Sequence, residues 1–509
     1  MAILSSVFFY VKIKGEKQME RTDLERFLKL SEKGVIVPVF QELPADMETP
    51  VSVLERFVED ENVCLMESVE NSEKFGRYSF IGVNPRGLFT VENGIPYMRV
   101  NGQQLKLKYS KYPLDALRAL VSGQKVAKDP ALPPLPGGAI GYLCYEAVNM
   151  FEKLPEPKPG LETPVCAFML TDEIIAFDNM RHTMQVIVNA HLDHFMNKEA
   201  AFNAAEKRLA ALVERIQTPV AKHITLEHEE TVQLKPEMTK AEFEHIVEKA
   251  KQYITEGEII QVVPSQSFCA ETTIPPFLMY RALRLVNPSP YMFFLKLGNE
   301  TLVGSSPETL VKLENGRSTV RPIAGTRRRG KTPAEDRRLM EELLKDEKEC
   351  AEHLMLVDLA RNDVGRTALT GSVQVKTFMT VEKYSHVMHI VSDVEGMIDP
   401  KYDAFDLLAT TFPAGTLSGA PKIRAMEIIN ELEPRPRGAY GGSVGYISYD
   451  GNIDMAITIR TIEARNGKIR VQAGAGIVYD SVPASEYQET INKATALFRS
   501  VEFAGRNLK

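Results

Sequence analysis

Cysteine is sparse and scattered in this chain of 509 residues. Its five cysteines, Cys64, Cys144, Cys166, Cys269 and Cys350, form no CxxC pair and no cluster with histidine. That argues against a disulfide framework and against a zinc site, and it fits a reducing cytosol. Long apolar runs are missing too, since none approaches the ~18 residues of a membrane span. There is no excess of positive charge: the formal net charge is −7, which argues against a general nucleic-acid binder. The N-terminus, Met1 to Lys17, lacks a basic n-region and a convincing cleavage site, so it does not read as a signal peptide. These absences point to a cytoplasmic protein with neither a membrane nor a nucleic acid as partner.

What is present suits a large globular protein. Hydrophobic residues make up 44% and charged residues 25%, enough to bury a core in two or more domains or one composite domain. Residues 1–18 read as an N-terminal extension and 19–225 as a first domain. Gln217 to Pro236 is polar and without periodicity, and marks the main boundary. Residues 235–503 form the second domain. In the first half, Asp23–Leu30 and 199–217 read as helices, and Val35–Gln41, Val63–Ser68, Tyr78–Gly82 and Gly87–Val91 as strands of an antiparallel sheet. In the second half, Lys240–Glu256 reads as a helix and Glu258–Ser267 as one buried strand with Gln261 inside it. That Gln261 is either a satisfied core amide or a group facing a substrate.

A helical run starts near Pro333 and leads into Glu349-Cys-Ala-Glu352. Asp346, Glu349 and Glu352 fall at i, i+3 and i+6 on one face, where like charges cost roughly 0.2–0.5 kcal/mol per pair. The following stretch, Leu354 to Ala360, reads as apolar on nearly every side. A second pair, Glu486 and Glu489, sits near the C-terminus with Lys493 on the same helical face. Either pair alone is ordinary surface charge; two such pairs also suit a hard cation, because Mg²⁺ takes one or two carboxylates plus water and substrate oxygens.

Hairpin signals place further residues. Asn315-Gly316 pairs Glu314 with Arg317, and regular continuation sets Ser306 opposite Gly325 and Glu308 opposite Ile323. Asp450-Gly451 and Asn466-Gly467 set Gly441 opposite Arg460 and Arg460 opposite Ala473, in a three-stranded meander. Tyr440, Arg460 and Gly474-Ala475-Gly476 then gather at one end. Arg460 suits either a carboxylate ligand or a structural salt bridge. Gly415-Thr-Leu-Ser-Gly-Ala-Pro-Lys422 is a Gly-rich loop before a helix, but fails the P-loop pattern. Arg327-Arg-Arg329 reads as a solvated basic patch. His386 and His389 lie on a strand, Tyr384–Val391, and His389 either faces a cleft or plays a structural role.

Taken together, Pro322-Ile-Ala-Gly-Thr326, Glu352–Asp363, Gly415–Lys422 and Glu486–Lys493 resemble the chorismate-utilising enzymes. Leu65-Met-Glu-Ser68 and Asn287-Pro-Ser-Pro-Tyr-Met292 bring the resemblance closer to the first component of anthranilate synthases. The resemblance implies an α+β fold of two intertwined domains, with sandwich-like sheets and outer helices around a central cleft. It implies a lyase that makes anthranilate and pyruvate from chorismate and ammonia with Mg²⁺. Glu352 and Glu489 would hold the metal, with Glu349 and Glu486 as water-linked partners. Gly325, Thr326, Tyr440, Arg460, Gly474, Ala475, Gly476 and Lys493 would bind substrate. His389, Glu308 and Thr416 would be catalytic, His389 as general acid toward the C4 hydroxyl. Tryptophan would inhibit at Ser68, Pro290, Tyr291 and Met292. No nucleophile-cysteine motif of a glutamine amidotransferase is present, so ammonia would come from a separate glutaminase subunit in a hetero-oligomer. In the family, common aminodeoxychorismate synthases carry lysine where Ala324 stands here, and isochorismate and salicylate synthases carry it where Gln261 stands. Both absences favour anthranilate synthase, with aminodeoxychorismate synthase component I as the enzymatic alternative. A non-catalytic amino-acid sensor on the same fold is the rival of another class.

Overall fold

The computed structural model describes residues 19–68, 76–384 and 387–508. The extension at 1–18 and the part of the Tyr384–Val391 reading that holds His386 lie outside the described residues. Two large antiparallel sheets of 11 and 12 strands dominate the described chain. Each draws strands from both halves of the sequence. In the first, Asn62–Glu67 pairs with Tyr291–Leu297; in the second, Gly138–Leu143 pairs with Ser443–Ser448. The expected α+β architecture of intertwined halves is therefore what the chain adopts.

The strands are apolar on both faces because both faces are covered. Along Cys166–Thr171, Ala167 and Met169 enter a cluster with Phe40, Cys64 and Phe293 of the other sheet. Their neighbours Cys166, Phe168 and Leu170 point the opposite way, into a cluster with the helices Leu114–Ser122, Lys240–Thr255 and Lys422–Leu432. Strand side chains alternate with period two, so one strand feeds two cores. The outer face of the first sheet carries Lys198–Gln217, Pro276–Val286 and Pro483–Asn507. Among the described residues no helix is long and apolar enough to cross a membrane.

Several local expectations fail for stated reasons. The helical run from Pro333 is two helices, Pro333–Lys345 and Glu347–Gly365. Asp346 breaks it, leaving helical angles to accept a hydrogen bond from the Glu349 backbone N–H at 3.2 Å, as an N-cap does. The second helix is not buried all round: Leu354 is 46% exposed. Glu258–Ser267 is not one strand. Gln261–Val262 joins a small third sheet with Gly419–Ala420, and Ser265–Glu271 joins the first large one. The Asn315-Gly316 hairpin pairs as expected from Glu314–Arg317 to Lys312–Thr319. Beyond that, Ile323–Arg328 leaves to pair with Val387–Met397, while Ser306 lies in the other sheet opposite Tyr291. The meander is likewise split: Ile453–Ile457 belongs to the second sheet and Thr461–Arg465 to the first. Arg460 stands at that crossing with φ +49°, so it is not a strand residue with a defined face.

Candidate functional site

The crossings between sheets are where the expected site residues meet. Ser306–Glu308 and Thr458–Arg460 both leave one sheet for the other, and the Ser306 hydroxyl donates to the Ile457 carbonyl at 2.6 Å to bind the two turns together. A non-glycine residue at positive φ, such as Arg460, is strained and persists where its surroundings over-determine it. Both Glu308 and His389 feel its charge.

Two titratable groups here are pushed in opposite directions. Desolvation raises the Glu308 carboxyl above the usual carboxylate range, against the lowering effects of the Thr416 hydroxyl, Arg460 and Lys493. Thr416 Oγ1 donates to Glu308 Oε2 at 3.0 Å. Desolvation lowers His389, opposed by the Gly325 carbonyl and aided by Arg460. His389 Nδ1 lies 3.0 Å from that carbonyl, and Thr326 Oγ1 is 3.1 Å from the same nitrogen. A carbonyl only accepts, so Nδ1 carries the ring proton, and Nε2 of the neutral ring is a proton acceptor.

The Gly474–Gly476 loop lies near these groups through Tyr440 and Lys493, both of which interact with Glu308. Tyr440 is buried, and its hydroxyl meets the Gly474 backbone. A Cβ on Gly474 would sit 2.7 Å from that hydroxyl, and one on Gly476 would sit 2.7 Å from Gln261 Nε2. Both glycines thus let neighbouring polar groups approach the backbone, and Gln261 is turned toward the loop. Lys493 Nζ bridges the Gly474 carbonyl at 3.1 Å and Glu489 Oε1 at 2.7 Å.

Helices Glu347–Gly365 and Pro483–Asn507 bring the acidic pairs together. Desolvation raises the Glu352 carboxyl, and Glu349, Glu489 and Asp346 add to the rise while Lys348 opposes it. Glu486 is raised by desolvation and by Glu489, and lowered by Ser481, Lys348 and Lys493. Glu349 Oε1 lies 3.2 Å from Arg327 Nη1, so Glu349 is already ion-paired. Among the described residues no group of three or more His, Cys, Asp or Glu side chains forms a metal cage. Two partly desolvated carboxyls, Glu352 and Glu486, that both feel the charge of Glu489 still fit a Mg²⁺ site completed by water and substrate. The Arg327–Arg329 stretch is not a free basic patch: its guanidiniums pair with Glu335, Asp336, Glu342, Asp346 and Glu349.

A separate cavity of about 700 Å³ is lined by Ser68, Pro290, Tyr291 and Met292, along with Lys128 and Asp454. The buried Ser68 Oγ has no hydrogen-bond partner among the described residues. The Tyr291 hydroxyl is engaged, with Asp454 Oδ1 at 2.9 Å and Thr309 Oγ1 at 3.0 Å. The wall there is thus partly polar.

A family model described as chorismate binding enzyme matches residues 61–499. The anthranilate synthase component 1 of Acetivibrio thermocellus is 47% identical over 480 residues, spanning 92% of this chain and 96% of that protein. That of Aquifex aeolicus is 47% identical over 485 residues, spanning 94% and 98%. This chain belongs to the anthranilate synthase component 1 family of chorismate-binding enzymes. The crystal structure of anthranilate synthase component I from Streptococcus pneumoniae superposes with a TM-score of 0.76 at 39% identity, covering 90% of this chain and 99% of that one. The menaquinone-specific isochorismate synthase of Escherichia coli shares the fold, with a TM-score of 0.70 at 20% identity over 94% of this chain and 98% of that one.

Two functional contacts in this family member were not visible in the sequence reading. Lys348 acts on both Glu352 and Glu486; its spacing of four from Glu352 was the available signal. Arg327 holds Glu349 from a different element, and nothing local in the sequence announces that pair.

Proposed function

We propose that this chain converts chorismate and ammonia to anthranilate and pyruvate, as the large subunit of a cytoplasmic hetero-oligomer in tryptophan biosynthesis. The observation that carries the chemistry is an opposed pair around Arg460: a carboxyl, Glu308, whose proton affinity burial raises, and a histidine, His389, whose proton affinity burial lowers. Environments that push two titratable groups apart assign the acid and the base. Glu308 is then the acid that protonates the departing C4 hydroxyl after ammonia adds at C2. His389, expected as the acid, is reassigned as acceptor: Nε2 takes the C2 proton, the C2–H electrons form C2=C3 and aromatise the ring, and the C3–O bond breaks to release the enolate of pyruvate, which takes a proton from solvent. Arg460 and Tyr440 hold the enolpyruvyl carboxylate, with Gly474 to Gly476 against it, while Gly325, Thr326 and Lys493 complete the pocket. Mg²⁺ held by Glu352 and Glu489, with Glu349 and Glu486 behind them, would neutralise the ring carboxylate. Tryptophan fills the cavity at Ser68, Pro290, Tyr291 and Met292, and inhibits by favouring one conformation over another.

Ammonia comes from a glutaminase subunit. The test is chorismate with ammonium and Mg²⁺ at raised pH, product identified by fluorescence and mass. Anthranilate is expected from ammonium with this chain alone, and from glutamine only after the partner is added. Absence of chorismate consumption overturns the reading.

A further inference from the structure

We infer that Arg437 is a positioning residue for the chorismate pocket, its buried guanidinium setting the relative placement of Thr416, Tyr440 and the Gly474–Gly476 loop; this rests on the reading of that cleft given above. Arg437 is 1% exposed. Its Nε and Nη2 donate to Glu433 Oε2 at 2.9 Å and Oε1 at 2.6 Å. Nη1 donates to the Leu417 carbonyl at 2.7 Å, and Nη2 to the Val263 carbonyl at 2.6 Å. The guanidinium carbon lies 5.7 Å from the Tyr440 ring centre and 4.5 Å from that of Tyr145.

Tyr440 is a pocket residue, and Leu417, Val263 and Glu433 each connect to one. Leu417 follows Thr416. Val263 precedes Pro264, whose carbonyl accepts the Ala475 N–H at 3.1 Å. Glu433 Oε1 accepts from the Ser265 N–H at 2.8 Å and its hydroxyl at 2.9 Å, and Ser265 sits opposite Gly474 in the ladder. Three walls of the pocket, distant in sequence, therefore hang from one planar group.

A desolvated ion pair is a weak device for stability, because well-packed apolar residues of similar volume do as well or better. A rigid fork with fixed donor directions is a strong device for geometry, and lysine does not reproduce it. Placement errors on the scale of an ångström are known to cost activity heavily.

The test compares Arg437→Lys, Glu433→Gln and the apolar double replacement Arg437→Met with Glu433→Met in the full-length protein. Folding is read by thermal unfolding, and kcat and the chorismate KM are read separately. The double variant is expected to unfold close to the wild-type temperature and yet to raise the chorismate KM at least about tenfold, and the two single variants to raise it similarly. A wild-type KM in the folded variants, or a kcat that falls only with the folded fraction at unchanged KM, overturns the inference and leaves the pair purely structural. Wild-type protein that does not consume chorismate overturns the functional reading itself, and the inference with it.

Discussion

Thr416 donates a hydrogen bond to Glu308 across 3.0 Å, joining the Gly-rich loop to the turn between the two sheets. That bond favours the carboxylate, while desolvation favours the acid and wins. As the acid, Glu308 must be protonated, so activity falls as pH rises through its raised pKa. His389 must be neutral, so activity falls as pH drops through its lowered one. Thr416→Val removes the donor, and the alkaline limb of kcat/KM is expected to move to higher pH while the acid limb stays. Glu308→Gln is expected to lower kcat by about 10²–10⁴-fold, the usual worth of a positioned acid. A pH–rate profile unchanged in Thr416→Val would remove Glu308 from the role.

Glu489 repels the Glu352 carboxylate, and the proposed Mg²⁺ between them is expected to relieve that repulsion. Two unit charges ~4 Å apart interact by about 4 kcal/mol at an effective dielectric of ~20. Mg²⁺ is expected to raise the melting temperature of the wild-type protein, and to do so less in Glu352→Gln or Glu489→Gln. Both variants are expected to lose at least about a hundredfold in turnover, like other losses of charge-stabilising groups. Calorimetry with and without Mg²⁺ checks the first statement, and normal turnover of both variants would sink the assignment.

Stability carries its own pH signature. Desolvation, with the neighbouring Glu463 adding to it, raises the Glu300 carboxyl from 4.5 to about 7. Burial likewise raises Glu146 to about 7. Between pH 4.5 and 7 the folded chain binds protons that the unfolded chain has released. Each group's contribution is therefore complete below about pH 4.5 and is lost as pH rises through about 7, by at most about 3 kcal/mol. Glu300→Gln mimics the protonated form, and its melting temperature is expected to fall less than the wild-type value between pH 5 and 8. Parallel curves would show that Glu300 is charged in the folded protein.

Ser68→Arg places a charged side chain in the cavity beside Tyr291. Turnover without inhibitor is expected to stay near the wild-type value, with tryptophan inhibition lost. By linkage, chorismate is expected to weaken tryptophan binding in the wild-type protein by the factor by which tryptophan weakens chorismate binding. An inhibition curve unchanged in Ser68→Arg would place the regulatory site elsewhere.

The elements of this fold were legible wherever local physics decides them. Helices such as Lys198–Gln217 and Lys240–Thr255 show in periodicity and capping, and the Asn315-Gly316 hairpin pairs as its turn chemistry dictates. What the sequence hid was the change of sheet. Regular pairing assumes that a strand keeps its partner, but Ile323–Arg328 and Thr461–Arg465 each leave theirs for a strand distant in the chain. Burial on both faces removes the alternation that would have marked the switch. Arg460 shows the effect: it was expected in a regular meander with Tyr440 and Gly474 to Gly476, and neither its nearness to Glu308 nor its left-handed backbone was anticipated, because only the crossing demands them. Lys348 and Arg437 were missed although Glu352 and Glu433 each lie four residues away, because their further partners, Glu486 and the Leu417 and Val263 carbonyls, come from distant elements.

One rung of the first sheet pairs Tyr291 with Ser306. The cavity wall and the turn that carries Glu308 thus meet across one rung of two paired strands, with Glu308 two residues beyond Ser306 and no relay of helices between them. An effector that shifts Tyr291 is expected to reach Glu308 by this short path. Control built this way has little in between for drift to loosen, so substitutions that uncouple it should concentrate on Tyr291 to Glu308 and the Ile457 turn tied to them.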